Sequence, residues 1–447
     1  MNTLKMLWCS LVKPIAIEDI FTPSTSAELT FVRRNAIERK FNSQFRINGK
    51  QIIVYGHSGS GKTTFLERYF KEHKIETITI RCDSSMAFDQ IILNSFDKLG
   101  VYYNNSSSIS NTEGHKATSG LKTNGIKAGS EYNESVTKVS NFARLVEPQL
   151  TPQRLAETLG ATNKVLVIED FHKLDDAEKK RLADMLKVFN DMANTYPSLK
   201  VICIGAVDTA REIIKLDNNL KQRVYECEIP LLTDAEIQNI VLRGCELLNI
   251  EMASDLVERI VHYSNQLGGL AHQLCYDVCE SKGITKTQLV KKRLTGEHFI
   301  NAVEAYIDAR SDTLMEVYDR AVKDPLGWYI LRTFSNQPQS KMSLKQISKK
   351  VNTLDHPFSE NEIVLKLVEL STAEVGILRS NYNSSFFTVA DPFWGAFIKM
   401  RIAKEQADKA KAQHNRANRN LQLQNQNDVE AMLLQILMAR YNPKNIH

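Results

Sequence analysis

Two clusters in this sequence have the residue types and spacing for phosphate chemistry. The first is Gly56-His57-Ser58-Gly59-Ser60-Gly61-Lys62-Thr63, with Thr64 next, and it fits the pattern G-x-x-x-x-G-K-[ST]. Glycines at those places let the backbone wrap until its N–H groups face phosphate oxygens, and the N-terminus of the following helix adds to the same field. Lys62 would reach the β and γ phosphates of a nucleoside triphosphate, and the Thr63 hydroxyl would ligate Mg²⁺. The plainer alternative is a Gly/Ser-rich turn. Context decides against it, because Ile52–Tyr55 reads as a strand before the loop and Thr64–Phe70 as a helix after it.

The second cluster is Val165-Leu166-Val167-Ile168-Glu169-Asp170, an apolar strand that ends in two carboxylates. A phosphate site with a metal needs an acid at the end of a neighbouring strand. One acid should hold the water shell of Mg²⁺ while the other polarises the attacking water as general base. Acids after a strand can also just cap the next helix; beside a P-loop the chemical reading is the stronger one. The residues alone leave open which acid takes which role.

Elements must hold these clusters in place. Five β-branched-rich runs, Gln51–Tyr55, Ile75–Cys82, Lys164–Asp170, Lys200–Ala206 and Val224–Pro230, are mostly separated by helical patterns at Thr63–His73, Ala87–Leu99, Asp176–Tyr196 and Thr209–Leu216. Near-continuous apolar strands alternating with helices predict an α/β fold, a five-stranded parallel sheet covered on both faces. Between Asn104 and Ser140 the chain turns to Ser, Asn, Thr, Gly and Lys, which predicts a mobile or hairpin-forming insertion. After Pro230 the patterns Thr233–Leu248, Ala253–Gln266, Gly269–Ser281 and Thr295–Val322 predict a helical lid. Helices Leu326–Ser335, Leu344–Val351 and Glu360–Leu370, then strands Gly376–Ser380 and Phe386–Ala390, have the grammar of a winged helix. The expected domains are an extension over 1–30, a nucleotide-binding core over 31–230, the lid over 231–322, the winged helix over 323–400 and a basic tail over 401–447.

Together these features resemble the AAA+ and STAND ATPases, most of all their origin-recognition-like and transposition-regulator-like branches. The resemblance runs over roughly residues 20–400 and implies a three-layer αβα core that binds and hydrolyses ATP with Mg²⁺. By position it makes Glu169 the metal-side acid, with Thr63, and Asp170 the base, although the family's usual order is Asp-Glu or Asp-Asp. It makes Val201–Thr209 the sensor strand, whose Asp208 or Thr209 would touch the γ-phosphate or the attacking water. It offers Arg223 as an arginine finger acting on a neighbouring subunit, with Arg211 in reserve. His272 stands where many members carry a sensor arginine in Gly-x-x-Arg; a histidine there can donate to phosphate or be a packed lid residue. Phe31-Val32-Arg33 fall where the family's adenine-side segment lies.

Charge bears on partners. The 447 residues are 43% hydrophobic and 24% charged, the profile of an ordinary globular protein, with a net charge of +5. From Arg401 onward eight Lys/Arg face four Asp/Glu, so the tail holds +4 and the remainder +1. Global charge therefore gives the body no call on nucleic acid. Glu360–Leu370 would be the recognition helix of a winged helix, yet it carries three Glu against Lys366 alone and should repel phosphate. Lys341, Lys345, Lys349 and Lys350 before it, with Arg379 and Asn381 on the wing, leave backbone contact with DNA open. The tail could touch nucleic acid or an acidic partner, or form a solvated helix, and its apolar end Val429–Leu437 should dock on a partner or on the body.

Seven scattered cysteines predict reduced, buried thiols, and Cys275 with Cys279 lack the neighbours of a zinc site. No run approaches the ~20 apolar residues of a membrane span, and no secretory signal is evident at Met1–Val12, so a cytoplasmic address is expected. The resulting expectation is a regulatory ATPase switch that forms homo-oligomers and recruits a separate effector or partner protein, as in signalling or anti-phage defence. A DNA-associated loader or transposition regulator, and a nucleotide-binding scaffold with little turnover, are the alternatives.

Overall fold

The computed structural model describes residues 14–100, 104–111, 136–142, 151–206, 218–308, 314–335, 340–352, 357–372, 374–380, 386–420, 434–436 and 438. Helix Thr209–Leu216, Asp208, Thr209, Arg211 and Asn381 lie outside them.

In chain order the first elements are α1 (Ile17–Ile20), α2 (Asn35–Phe45), β1 (Gln51–Tyr55), α3 (Lys62–His73), β2 (Thr77–Arg81) and α4 (Phe88–Leu99). A hairpin, β3 (Asn104–Asn111) with antiparallel β4 (Val136–Phe142), forms within the polar insertion, so the hairpin half of that expectation holds. Next come α5 (Pro152–Thr162), β5 (Val165–Glu169), α6 (Asp176–Asp191), β6 (Val201–Gly205) and β7 (Val224–Glu228). The five expected strands form one sheet in the order β2-β5-β6-β1-β7. β5 runs parallel to β2 and to β6. Sequence suggested that the acid-bearing strand neighbours the P-loop strand. In fact β6 lies between them, because the chain crosses over twice before returning beside β1. Parallel strands end at one edge, so β1 and β5 still finish on the same side of the sheet.

The burial follows the residue types. Ile52 to Val54, Val165 to Ile168 and all of β6 are buried, as strands covered on both faces must be. Helix α6 starts where the Asp175 carboxylate accepts the Glu178 N–H, so one acid after β5 does cap a helix, but it is not Glu169 or Asp170.

The second half of the chain begins with α7 (Asp234–Leu248), whose capping box pairs Thr233 with Glu236. Then follow β8 (Ile250–Met252), α8 (Ser254–Tyr263), α9 (Gly268–Glu280), β9 (Lys292–Leu294), α10 (Glu297–Asp308) and α11 (Glu316–Ala321). Helices α10 and α11 both fall within the single one expected over 295–322, and residues 309–313 between them lie outside the described residues. The C-terminal part is α12 (Pro325–Ser335), β10 (Met342–Ser343), α13 (Leu344–Val351), α14 (Glu360–Leu370), β11 (Leu378–Ser380), β12 (Phe386–Val389) and α15 (Pro392–Asn420). The two-residue β10 joins the hairpin as a third antiparallel strand, paired through Met342 and Phe387. Helix α15 carries the start of the basic tail. Beyond it, and just past the apolar end Val429–Leu437, the Met438 carbonyl accepts from the Arg259 guanidinium of α8.

By compactness the residues divide into two units. One holds Phe41–Val54 and Glu72–Cys227, the other Met1–Lys40, Tyr55–Lys71 and Glu228–His447. The P-loop and most of α3 therefore group with the lid and the C-terminal part. The six described cysteines are all buried and unpaired, with Cys82 and Cys227 pushed up to about 12 by burial. Among the described residues no three His, Cys, Asp or Glu cluster as metal ligands, and no helix is long and apolar enough to cross a membrane.

Candidate functional site

The P-loop is built by backbone. A Cβ on Gly56 would stand 2.3 Å from the Ile229 carbonyl oxygen, so only glycine lets the chain pass there. Gly61 has φ +86 and nothing within 4 Å of where a Cβ would sit, so it is needed for its conformation and it borders open space. The Lys62 ammonium donates to the carbonyls of Gly56 and His57, at 2.9 Å each, and braces the loop from within. The first backbone bond of α3 runs from Phe65 N–H to the Gly61 carbonyl. The N–H groups ahead of it form the end that takes phosphate in such loops. Ser60 is 3% exposed, and its Oγ has no partner among the described residues. A glycine-lined cradle with an orphan hydroxyl and a lysine at its base fits a triphosphate; the exposed Thr63 hydroxyl is free in space to serve Mg²⁺.

Two hydrophobic side chains touch this loop. A Cβ on Gly59 would meet Leu267 Cδ2 at 2.7 Å and Phe393 Cζ at 3.1 Å. Leu267 precedes α9 in the lid, and Phe393 is the second residue of α15. The turn before Leu267 holds Asn265 and Gln266 at positive φ, and the buried Asn265 side chain donates to the Pro392 carbonyl at 2.8 Å. Lid turn and C-terminal helix thus meet each other and both meet the P-loop. The sequence analysis did not find Leu267, Asn265 or Phe393; an apolar residue beside a P-loop carries no motif of its own.

The paired carboxylates lie at the end of β5. Glu169 is the last residue of the strand, its side chain 14% exposed, and Arg81 Nε donates to its Oε2 at 2.9 Å. Register explains the pair, since Arg81 and Glu169 are direct partners at the ends of β2 and β5. Asp170 sits one residue beyond in the left-handed region, φ 56 and ψ 27, with its Oδ2 2.8 Å from Lys173 Nζ. The neighbouring carboxylate raises the Lys173 ammonium above its ordinary range, first through the hydrogen bond and then by charge.

Arg223 precedes β7, and its guanidinium meets Asp191 at 2.8 Å and the Lys187 carbonyl at 3.5 Å. Phe31 lies under the Arg68 guanidinium at 5.1 Å, Val32 packs on the lid cluster of Ile237, Ile240 and Ala271, and Arg33 pairs with Glu38. His272 is 3% exposed, and its Nδ1 accepts the Thr22 backbone N–H at 3.0 Å, with the ring edge-on to Phe21. The ring is thus packed between Thr22 and Phe21 with its Nδ1 engaged.

Burial lowers His272 to about 4, and burial together with Lys399 lowers His262 to about 3. Both rings are neutral when folded, while the unfolded chain takes up protons near pH 6.5. Stability contributed by His272 is therefore complete above that pH and is lost as pH falls from 6.5 towards 4, by about 3 kcal/mol. Urea midpoints at pH 7 and pH 5 should show the loss, and His272→Gln should flatten it.

Residues 47–214 match the family model described as an AAA domain. The curated proteins give no match. Among solved structures the chain is similar to a Walker-type ATPase of Pyrococcus abyssi, at 14% identity and a TM-score of 0.49, covering 87% of this chain and 99% of that one. It is similar to the Aeropyrum pernix ORC2 protein at 11% identity, with 88% and 100% covered and a TM-score of 0.45. It is also similar to Cdc6p of Pyrobaculum aerophilum, at 13% identity, 88% and 100% coverage and a TM-score of 0.40. The domain match spans the loop, the acid strand and the strand between them.

Proposed function

Because residues 47–214 match the model of an AAA domain, we propose that this chain binds and hydrolyses ATP as a regulatory switch. Its nucleotide state would set self-assembly and the recruitment of a separate partner protein. One observation carries the reading: Leu267 of the lid and Phe393 of the C-terminal helix rest on Gly59 of the P-loop. Any change in the loop on taking up phosphate must move those side chains, and with them the lid and the C-terminal part. We read that part, α12 to β12, as a winged helix acting as a clamp.

In this reading the loop N–H groups and Lys62 hold the phosphates, and Thr63 and Glu169 hold Mg²⁺. Bound Mg²⁺ would neutralise charge on the phosphate oxygens. Asp170 accepts the proton of the attacking water at its carboxylate. Arg223 would serve a neighbouring subunit after leaving Asp191, and Asp208 would act as sensor.

A DNA-loading role finds less support. Lys366, the cation of the would-be recognition helix α14, is 6% exposed and bound by Asp324 at 2.6 Å and Glu369 at 2.8 Å. That helix offers phosphates no exposed cation, so any charge contact would fall to Lys341, Lys345, Lys349 and Lys350 in and before α13 and to Arg379.

The test is the solution mass of the protein with ATP, with ADP and without nucleotide, before and after nuclease, with and without duplex DNA. An ATP-dependent, nuclease-resistant increase is expected. The same mass in all three nucleotide states would refute the switch, and retention on DNA that falls steeply with salt would favour the loader.

A further inference from the structure

Helix α8 leads to the lid's contact with the P-loop, because the left-handed turn that follows it delivers Leu267 onto Gly59. The C-terminal stretch of the chain grips this helix at two places. The first is the C-terminal end of α8. There the Lys399 ammonium of α15, in a residue 9% exposed, donates to the His262 carbonyl at 3.2 Å, close to the bond from Asn265 to Pro392. A cation at that end also meets the negative pole of the helix.

The second grip lies nearer the start of α8. Beyond 421–433, which lie outside the described residues, the chain is helical again at 434–436 and at 438. Met438 meets the lid twice. Its carbonyl accepts from the guanidinium of Arg259, which is 3% exposed and stands 3.9 Å from the Asp255 carboxylate. Its side chain reaches Gly296, just ahead of α10. A Cβ on Gly296 would stand 2.8 Å from Met438 Cε, 2.3 Å from Asp255 Oδ2 and 3.3 Å from Arg259 Nε. Only a glycine leaves room for all three groups, so the lid holds a built seat for this one residue.

The seat is suited to opening as well as closing. A buried guanidinium needs acceptors, and water can replace the Met438 carbonyl when the segment leaves. One carbonyl and one thioether chain would not hold two separate molecules together. Covalent connection presents the segment at an effective concentration of about millimolar, where so small a contact is well occupied and still exchanges.

We propose that the segment around Met438 is a latch on the lid, holding α8 where Leu267 rests on Gly59 and opening when the loop takes up triphosphate. Arg259 and Leu267 are eight residues apart along α8 and its turn. A shift of Leu267 is thus carried to Arg259 and disturbs the seat. The coupling is reciprocal: ATP weakens the latch by the factor by which the latch weakens ATP. The latch presupposes the ATP binding proposed above and adds a restraint on it.

The experiment uses two full-length variants, Met438→Asp and Gly296→Ala. Met438 is half-buried and lies outside the lid core, so its variant spares the fold while setting a carboxylate against Asp255. Gly296→Ala fills the seat from the lid side; should it fail to fold, Met438→Asp decides. Labelled ATP is titrated into each, and mass spectrometry follows the rate at which peroxide converts Met438 to its sulfoxide in the native chain and in Gly296→Ala. Both variants should bind ATP about fivefold tighter or more, the low end of ordinary coupling between sites. Saturating ATP should raise the oxidation of native Met438 to the rate that Gly296→Ala shows without nucleotide. Met438→Asp at native affinity, or an oxidation rate that ATP leaves unchanged, would overturn the latch while the nucleotide reading stands. Weaker ATP binding by Met438→Asp would overturn it too and make the segment a support of the site. A native chain that takes up no ATP would refute the proposed function, and the restraint with it.

Discussion

Lys62→Ala should lower affinity for ATP by at least a hundredfold and remove turnover, while the folded structure persists. The lysine is a half-buried donor whose ammonium holds the Gly56 and His57 carbonyls. A charge-assisted hydrogen bond to phosphate is worth about 1.5–3 kcal/mol, so losing the contacts of one ammonium accounts for two orders of magnitude or more. Gly61→Ala separates charge from shape. There is room for its Cβ, so any loss comes from forcing a non-glycine residue to φ +86, about 1–2 kcal/mol. Titration with labelled ATP and a phosphate-release assay decide the matter. If Lys62→Ala binds as the native chain does, the loop is a turn and the nucleotide reading fails.

The loop was legible because its requirements are local. Glycines at fixed spacing, a lysine, a hydroxyl and a strand and helix on either side all lie within twenty residues. The five strands were legible for a similar reason: a strand buried on both faces shows an unbroken apolar run, as Val201 to Gly205 does. Strand order is another matter, since no residue in β5 announces that β6 will lie between it and β1. Capping boxes start α7, α13 and α14, where Thr233, Ser343 and Ser359 each face Glu or Gln three residues on, a signal the sequence analysis left unused.

Contacts between distant segments left little trace. His272 follows two glycines as a sensor residue would, but Thr22, 250 positions earlier, occupies its Nδ1. Phe393 carries no motif, and its place against Gly59 comes from the packing of the lid turn on Pro392. Arg81 could have been found. Two parallel strands that end at one sheet edge place their last residues side by side, and a basic residue closing β2 opposite an acid closing β5 is a readable pair.

The swapped acids provide the second large effect. Glu169 ends its strand, is mostly buried and is clamped by Arg81, which suits a carboxylate that must stay put beside a metal. Asp170 stands beyond the strand, 47% exposed, held by the half-exposed Lys173 side chain from within its own turn. A base must reach a water and change protonation, and on the proposed assignment that base is Asp170. Asp170→Asn should therefore cut phosphate release about a hundredfold or more and leave ATP affinity within about threefold. Asparagine tolerates the left-handed conformation at this position, so the fold is spared, whereas alanine would add about 1–2 kcal/mol of strain. Glu169→Gln should instead weaken Mg²⁺-dependent ATP binding about tenfold and leave Arg81 without its partner. Single-turnover phosphate release and ATP titration at several Mg²⁺ concentrations separate the two. The opposite pattern would exchange the roles, giving this chain the assignment Glu169 as base. Unchanged turnover in both variants would mean that hydrolysis is not what the nucleotide is bound for, and the chain would then work as a scaffold read by occupancy alone.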